Sequence, residues 1–356
     1  MSAVEAPGPV TDPAEVDPAW LTAALHAASG GAEVVGVERE RIGTGLVGQC
    51  VRFTLTWDRP GAGPAAVVGK FPSPDPKSRE RGRTGGEYLR EVRFYQRLAG
   101  RAGLRLPRCH LAVLDEATCD FTLLLDDLAP AVQGDQMAGC SPEQSADALA
   151  QAALLHAAYW SDPVLDEEPC LQRVPGYAEG LGQFLTAVWP GFLAEYADAL
   201  PPGGVRLGER FVRALPVWAA QDSAPRCLVH GDFRVDNMMF GPDGVTVVDW
   251  QTIQRGAAAA DVSYFLGASL TVDDRRAHED ALLRGYHARL RAAGVTDRGI
   301  DELRADYRRC ALFGVVMTVA ASMLVSTDER GRRMFATMAE RHFTHALDVG
   351  AEAFLE

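Results

Sequence analysis

The sequence predicts an α+β chain whose strands gather in its first third and whose C-terminal part is mostly helical. Three observations predict it. Cys50-Val51-Arg52-Phe53-Thr54-Leu55-Thr56-Trp57 alternates and is rich in β-branched and aromatic residues, the pattern of a half-buried strand. Met238-Met239-Phe240 and Val245-Thr246-Val247-Val248 flank Gly241-Pro242-Asp243-Gly244, a strong hairpin signal. Ser141-Pro142-Glu143-Gln144 is a capping box with Pro at the first helical position, opening a long helix through Leu149, Leu154, Leu155 and His156.

The remaining elements follow in order. Asp17-Pro18-Ala19-Trp20-Leu21 opens a short helix with a cap and an early Pro, and Gly30-Gly31 closes it. Strands and one helix then occupy residues 34–125. Ala65-Ala66-Val67-Val68-Gly69 reads as a buried strand ending at Lys70, and residues 87–98 have helical periodicity. Cys227-Leu228-Val229 reads as a strand end that delivers His230 into a turn-rich loop. Beyond Asp249 the chain is expected to be helical. Residues 311–325 form the longest apolar run, too short to span a bilayer and better read as a buried helix. His156 is read as a core or supporting group rather than a ligand.

Composition narrows the function classes. At 356 residues with 47% hydrophobic residues, the chain can bury two cores. Its net charge of −13 argues against a nucleic-acid partner, because duplex binding is dominated by cationic contacts to phosphate. That acidity is read as solubility chemistry; an acidic cleft concentrating a cationic substrate is the alternative. The seven cysteines show no Cys-x-x-Cys pairing, which suggests reduced thiols in a cytoplasm. The first sixteen residues lack a basic stretch followed by an apolar one, so no secretory signal is expected, and with the longest apolar run too short to span a bilayer no membrane partner is expected.

Two constellations carry chemistry. In His230-Gly231-Asp232-Phe233-Arg234-Val235-Asp236-Asn237, an Asp and an Asn sit five positions apart in a loop, and Asp249 closes the next hairpin. That set suits phosphoryl transfer, where a protein orients a hydroxyl and holds magnesium against phosphates. Asp232 would accept the hydroxyl proton, and Asn237 and Asp249 would supply oxygen ligands to one shared ion. Nearer the N-terminus, Gly43-Thr44-Gly45-Leu46-Val47-Gly48 matches G-x-G-x-x-G. A strand rather than a helix follows it, which disfavours a dinucleotide fold and suits a loop over nucleotide phosphates.

Lysine usage singles out one residue. Only Lys70 and Lys77 occur, and every other basic residue is Arg. Lys70 ends a buried strand, an unfavourable place for an unpaired ammonium. A compact charge there can reach nucleotide phosphates, and Glu87 and Glu91 on the following helix are its candidate partners. Lys77 reads as a solvated loop residue.

The string from Cys227 to Leu266 resembles the aminoglycoside phosphotransferase and choline kinase group of small-molecule kinases, including the ecdysteroid-kinase-like branch. Weaker matches extend from about Glu38 to Trp160. The resemblance implies a two-lobed protein-kinase-like fold. Residues 1–125 would be a small nucleotide-binding lobe with an antiparallel sheet and one main helix, and residues 126–356 a larger, mostly helical catalytic and substrate-binding lobe. It implies Asp232 as catalytic base, Asn237 and Asp249 as magnesium ligands, and Gly43, Thr44, Gly45, Gly48 and Lys70 at the nucleotide. The family's Arg-Glu followed by Phe-Tyr favours Glu91 as the lysine's partner. Asp126-Asp127-Leu128 would be the hinge, with Asp126 and Leu128 at the nucleobase, and Asp261 a support for the loop around His230. His-Gly-Asp stands where protein kinases have His-Arg-Asp, Asp249-Trp250-Gln251 where they have Asp-Phe-Gly, and no Ala-Pro-Glu follows. These departures are those of small-molecule kinases. The expected reaction is magnesium-dependent transfer from ATP or GTP to a hydroxyl of a small molecule, an antibiotic of aminoglycoside, macrolide or nucleoside type. A sugar or amino-alcohol kinase and a non-catalytic nucleotide-binding scaffold are the alternatives.

Overall fold

The structure, a computed structural model, describes residues 6–43, 47–172, 175–220, 224–325 and 328–355. The chain divides into two units. The first comprises Met1–Arg101, Leu106–Pro130 and Val248–Thr252; the second comprises Ala102–Arg105, Ala131–Val247 and Ile253–Glu356. The division thus falls at Pro130 rather than after Leu125, and the Asp249 segment packs with the first unit although the boundary read from sequence assigned it to the second.

The first unit is built on a five-stranded antiparallel sheet. Its strands are β1 (Val34–Ile42), β2 (Gly48–Trp57), β3 (Ala66–Pro72), β4 (Cys109–Leu114) and β5 (Phe121–Asp126), in the order β1-β2-β3-β5-β4. Its helices are α1 (Pro18–Ala24), α2 (His26–Ser29), α3 (Pro76–Thr84) and α4 (Glu87–Arg93). The β2–β3 register sets Cys50 opposite Lys70 and Gly48 opposite Pro72. Alternate residues of β2 then face a core of Phe53, Phe71, Val67 and Leu124. Helix α4 continues as a wider π turn over Phe94–Leu98. Lys77 lies in α3 and not in a loop. The Asp75 carboxylate accepts from the Ser78 N–H at 2.8 Å and starts a helix that has no apolar stripe to reveal it.

The second unit contains short strands and long helices. β6 (Val132–Gln133) pairs with β8 (Met238–Gly241), which forms the expected hairpin with β9 (Gly244–Val247); β7 (Arg226–Val229) pairs with β10 (Gln254–Ala257). The helices are α5 (Pro142–Ala158), α6 (Val164–Glu167), α7 (Tyr177–Tyr196), α8 (Gly204–Ala220), α9 (Ala258–Ser269), α10 (Val272–Ala292), α11 (Ile300–Leu324) and α12 (Glu329–Asp348). The capping box at Ser141 forms as read: Gln144 N–H donates to the Ser141 hydroxyl, and the Gln144 side chain accepts from Ser141 N–H. Among the described residues α11 alone is long and apolar enough to cross a membrane. More than half of that stretch is buried, and Leu312, Val315 and Val319 lie in a core with Phe192, Phe211 and Phe343.

Candidate functional site

In the first unit the candidate residues converge on Lys70. Its Nζ lies 2.6 Å from Glu91 Oε2 and 2.8 Å from Asp249 Oδ1. The structure therefore pairs Lys70 with Glu91, and Glu87 makes no such contact. Burial opposes the ammonium, but Asp249 and Glu91 outweigh it and hold Lys70 above its ordinary value. Burial conversely pushes Glu91 up, against the pull of Lys70.

Asp249 has a left-handed backbone, φ 67, a conformation that short polar residues tolerate best. It is fixed from the next residue. Trp250 N–H donates to Glu91 Oε1 at 3.2 Å, and the Trp250 ring stacks on Phe94 with centroids 3.9 Å apart and planes within 5°. The π turn at Phe94 thus brings a ring on the Glu91 helix against the residue after Asp249.

Asp126 and Asp127 are tied to neighbouring strands. Asp126 Oδ1 lies 2.7 Å from His110 Nε2, and Asp126 N–H donates to Arg108 O at 2.9 Å. Asp127 accepts from Arg52 on β2 at 2.8 Å. Gly43 and Gly48 are described, whereas Thr44 and Gly45 lie outside the described residues.

In the second unit the loop from His230 is held by its backbone. Asp261 on α9, fully buried, accepts from His230 N–H at 2.7 Å and from Gly231 N–H at 2.9 Å. His156 Nε2 lies 3.2 Å from the same carboxylate, and its Nδ1 lies 2.7 Å from the Tyr286 hydroxyl. Asp261 and His156 are therefore supports behind the loop. Gly231 adopts φ 82, which a residue with a Cβ adopts only under strain, so Gly here is a backbone requirement.

This loop presents Asp232 to three donors. Asn237 Nδ2 donates to Asp232 Oδ2 and to its carbonyl, both at 2.9 Å. Tyr264 O–H donates to Oδ1 at 3.1 Å, and Arg234 Nε lies 3.2 Å from the carboxylate. Burial would raise this carboxyl, but chiefly Arg234 holds it below the ordinary Asp value. Arg234 also reaches Asp236 at 2.7 Å, and Asp236 accepts Gln136 N–H at 2.7 Å. Asn237 thus directs its amide N–H groups at Asp232.

Tyr264 and Arg234 are the partners that sequence reading did not rank. The signal for Arg234 was its place two residues after Asp232.

Among the described residues, no group of three or more His, Cys, Asp or Glu could hold a metal by itself. Asn237 and Asp249 offer hard oxygen donors. Each is the kind of donor that magnesium takes alongside waters and phosphate oxygens.

With the folds and both clusters defined, comparison with known proteins gives the family. The model of a phosphotransferase enzyme family matches residues 62–305, more than half of the chain, and the chain belongs to that family. No curated protein matches. The solved structures it is similar to include a candidate aminoglycoside phosphotransferase from Ralstonia eutropha JMP134 (17% identity, 93% of this chain and 98% of that one, TM-score 0.56). Choline kinase from Cryptosporidium parvum Iowa II is another (10%, 89% and 89%, 0.53). A GDP complex of aminoglycoside 2'-phosphotransferase-IIIa is a third (15%, 95% and 99%, 0.52). At these identities the likeness is one of fold: a kinase-like phosphotransferase with an antiparallel N-terminal sheet and a helical C-terminal region.

Proposed function

We propose that this protein moves the γ-phosphate of ATP or GTP to a hydroxyl of a small molecule, with magnesium. The observation that carries the proposal is the Lys70 cluster: a buried ammonium held between Glu91 and Asp249. A lysine so placed can grip nucleotide phosphates, and Glu91 keeps it charged and aimed. Magnesium, when bound, would neutralise developing phosphate charge, with Asp249 and Asn237 as its protein ligands. The backbone around Asp126 and Leu128 would receive the nucleobase.

Asp232 is assigned the acceptor hydroxyl. Because Arg234 holds its carboxyl low, Asp232 stays ionised and works chiefly by orienting the O–H, accepting the proton as the P–O bond forms. The names of the structural relatives put aminoglycosides and amino-alcohols such as choline first among acceptors to try. Macrolides, nucleosides and sugars complete the panel.

The test is transfer of label from γ-labelled ATP, then GTP, to that panel, with Asp232→Ala alongside. Label in product that disappears with the variant supports the reading. Asp249→Ala should lose the magnesium dependence of nucleotide affinity, and unchanged dependence would remove it as a ligand.

A further inference from the structure

We propose that Tyr88 is a positioning residue for nucleotide binding, tying Val47, at the entry to β2, to the helix that carries Glu91. The inference rests on the nucleotide reading of the first unit. Tyr88, on α4, is 3% exposed. Its phenol O–H donates to the carbonyl of Val47 at 2.6 Å, and its oxygen accepts from Ser73 N–H at 3.1 Å. Val47 precedes β2 directly, at the end of Gly43-Thr44-Gly45-Leu46-Val47-Gly48. Ser73 follows β3 directly, three residues after Lys70. One hydroxyl therefore bridges the entry to β2 and the end of the strand that carries the lysine.

Both backbone groups belong to buried residues, Val47 and Ser73 being 6% exposed each. A buried N–H or C=O without a partner is unfavourable, and at the ends of β2 and β3 the Tyr88 hydroxyl serves both groups. The rest of α4 shows why this matters. Tyr88, Glu91 and Phe94 recur at every third position, so they share one face through the first turns. That face meets, in order, Val47 and Ser73, then Lys70, then Trp250. A single helix thereby holds Val47, the lysine and the residue after Asp249 along one face.

The ring itself has a made place. It packs on Phe121 with centroids 4.7 Å apart, and Gly82 on α3 leaves the space beside it. A Cβ at Gly82 would stand 2.5 Å from the Tyr88 ring.

The test is Tyr88→Phe, which keeps the ring and its packing and removes only the hydroxyl. The affinity for magnesium–ATP should weaken by about five- to tenfold, the scale of the hydrogen bonding removed. The acceptor KM should move by less than about twofold. In the unliganded protein, amide exchange at Ser73 should accelerate, a reading independent of any nucleotide. Phe121→Leu is the control: it loosens the same ring and lowers Tm without removing the hydroxyl, and nucleotide affinity should hold. Wild-type nucleotide affinity that Tyr88→Phe leaves unchanged would overturn this role alone. So would a loss shared equally by both substrates and by Phe121→Leu. Absence of nucleotide binding in the wild type would overturn the function and this role with it, while faster Ser73 exchange would still report the strut.

Discussion

The two charged clusters, one in each unit, are built the opposite way round. In the first a cation is the centre: Lys70 lies between Glu91 and Asp249, so the ionised set carries one net negative charge. In the second a carboxylate is the centre: Asp232 gathers Arg234, Asn237 and Tyr264, and Arg234 is shared with Asp236. The first arrangement leaves an excess of carboxylate, which suits uptake of a divalent cation with its phosphates. The second leaves a carboxylate whose orientation is held by three donors and by a loop pinned at His230 and Gly231. Exchangeable charge is found in one unit and fixed direction in the other.

The largest test of this contrast is Asp232→Ala. Removing the centre of the second cluster should lower kcat by about 10²- to 10⁴-fold while magnesium–nucleotide affinity persists. Steady-state kinetics beside equilibrium nucleotide binding would check it, and loss of both together would deny the division of labour.

Next comes Trp250→Ala, which removes a fully buried ring stacked on Phe94. A loss of about 3–5 kcal/mol is expected, the usual result of deleting a large core aromatic, and urea unfolding would measure it. A surface-sized loss would mean that Asp249 is not braced through its neighbour.

Tyr264→Phe should act more gently. It deletes one hydrogen bond to a charged group, about 1.5–3 kcal/mol in general, and should lower kcat with nucleotide KM unchanged. An unaltered kcat would leave Arg234 and Asn237 as the sufficient donors.

The smallest effect is in pH dependence, and its sign follows from the two carboxylates. Burial pushes Glu91 up despite Lys70, so it takes a proton above the ordinary Glu value. Asp232 is buried too, but Arg234 holds it below the ordinary Asp value, so it takes a proton later as pH falls. On acidification from neutral pH, nucleotide KM should therefore rise before kcat falls. Both changing over the same range would erase the contrast.

Parts of this were legible in the chain because they depend on near neighbours. The Ser141 box and the Gly241-Pro242-Asp243-Gly244 turn are each made by residues within a few positions. Glu91 is different. It and Glu87 are one turn apart and share a face, so periodicity favours neither, and a family pattern was needed to choose. The α3 helix escaped because its start is a capped polar stretch without an apolar stripe. Tyr264 escaped because nothing near it in sequence says that its hydroxyl meets a carboxylate 32 positions earlier.

By itself, the sequence determined which residue types were at hand and which local turns and caps would form, since these rest on backbone sterics and short hydrogen bonds. It also marked Lys70 by making lysine rare. Tertiary structure decided which carboxylates share that lysine, one of them 179 residues away, and which hydroxyls brace Asp232 and Val47. Those contacts exist only once strands and helices have packed, because desolvation of the charged groups and the rings wedged beside them select one partner among several that the chain offers.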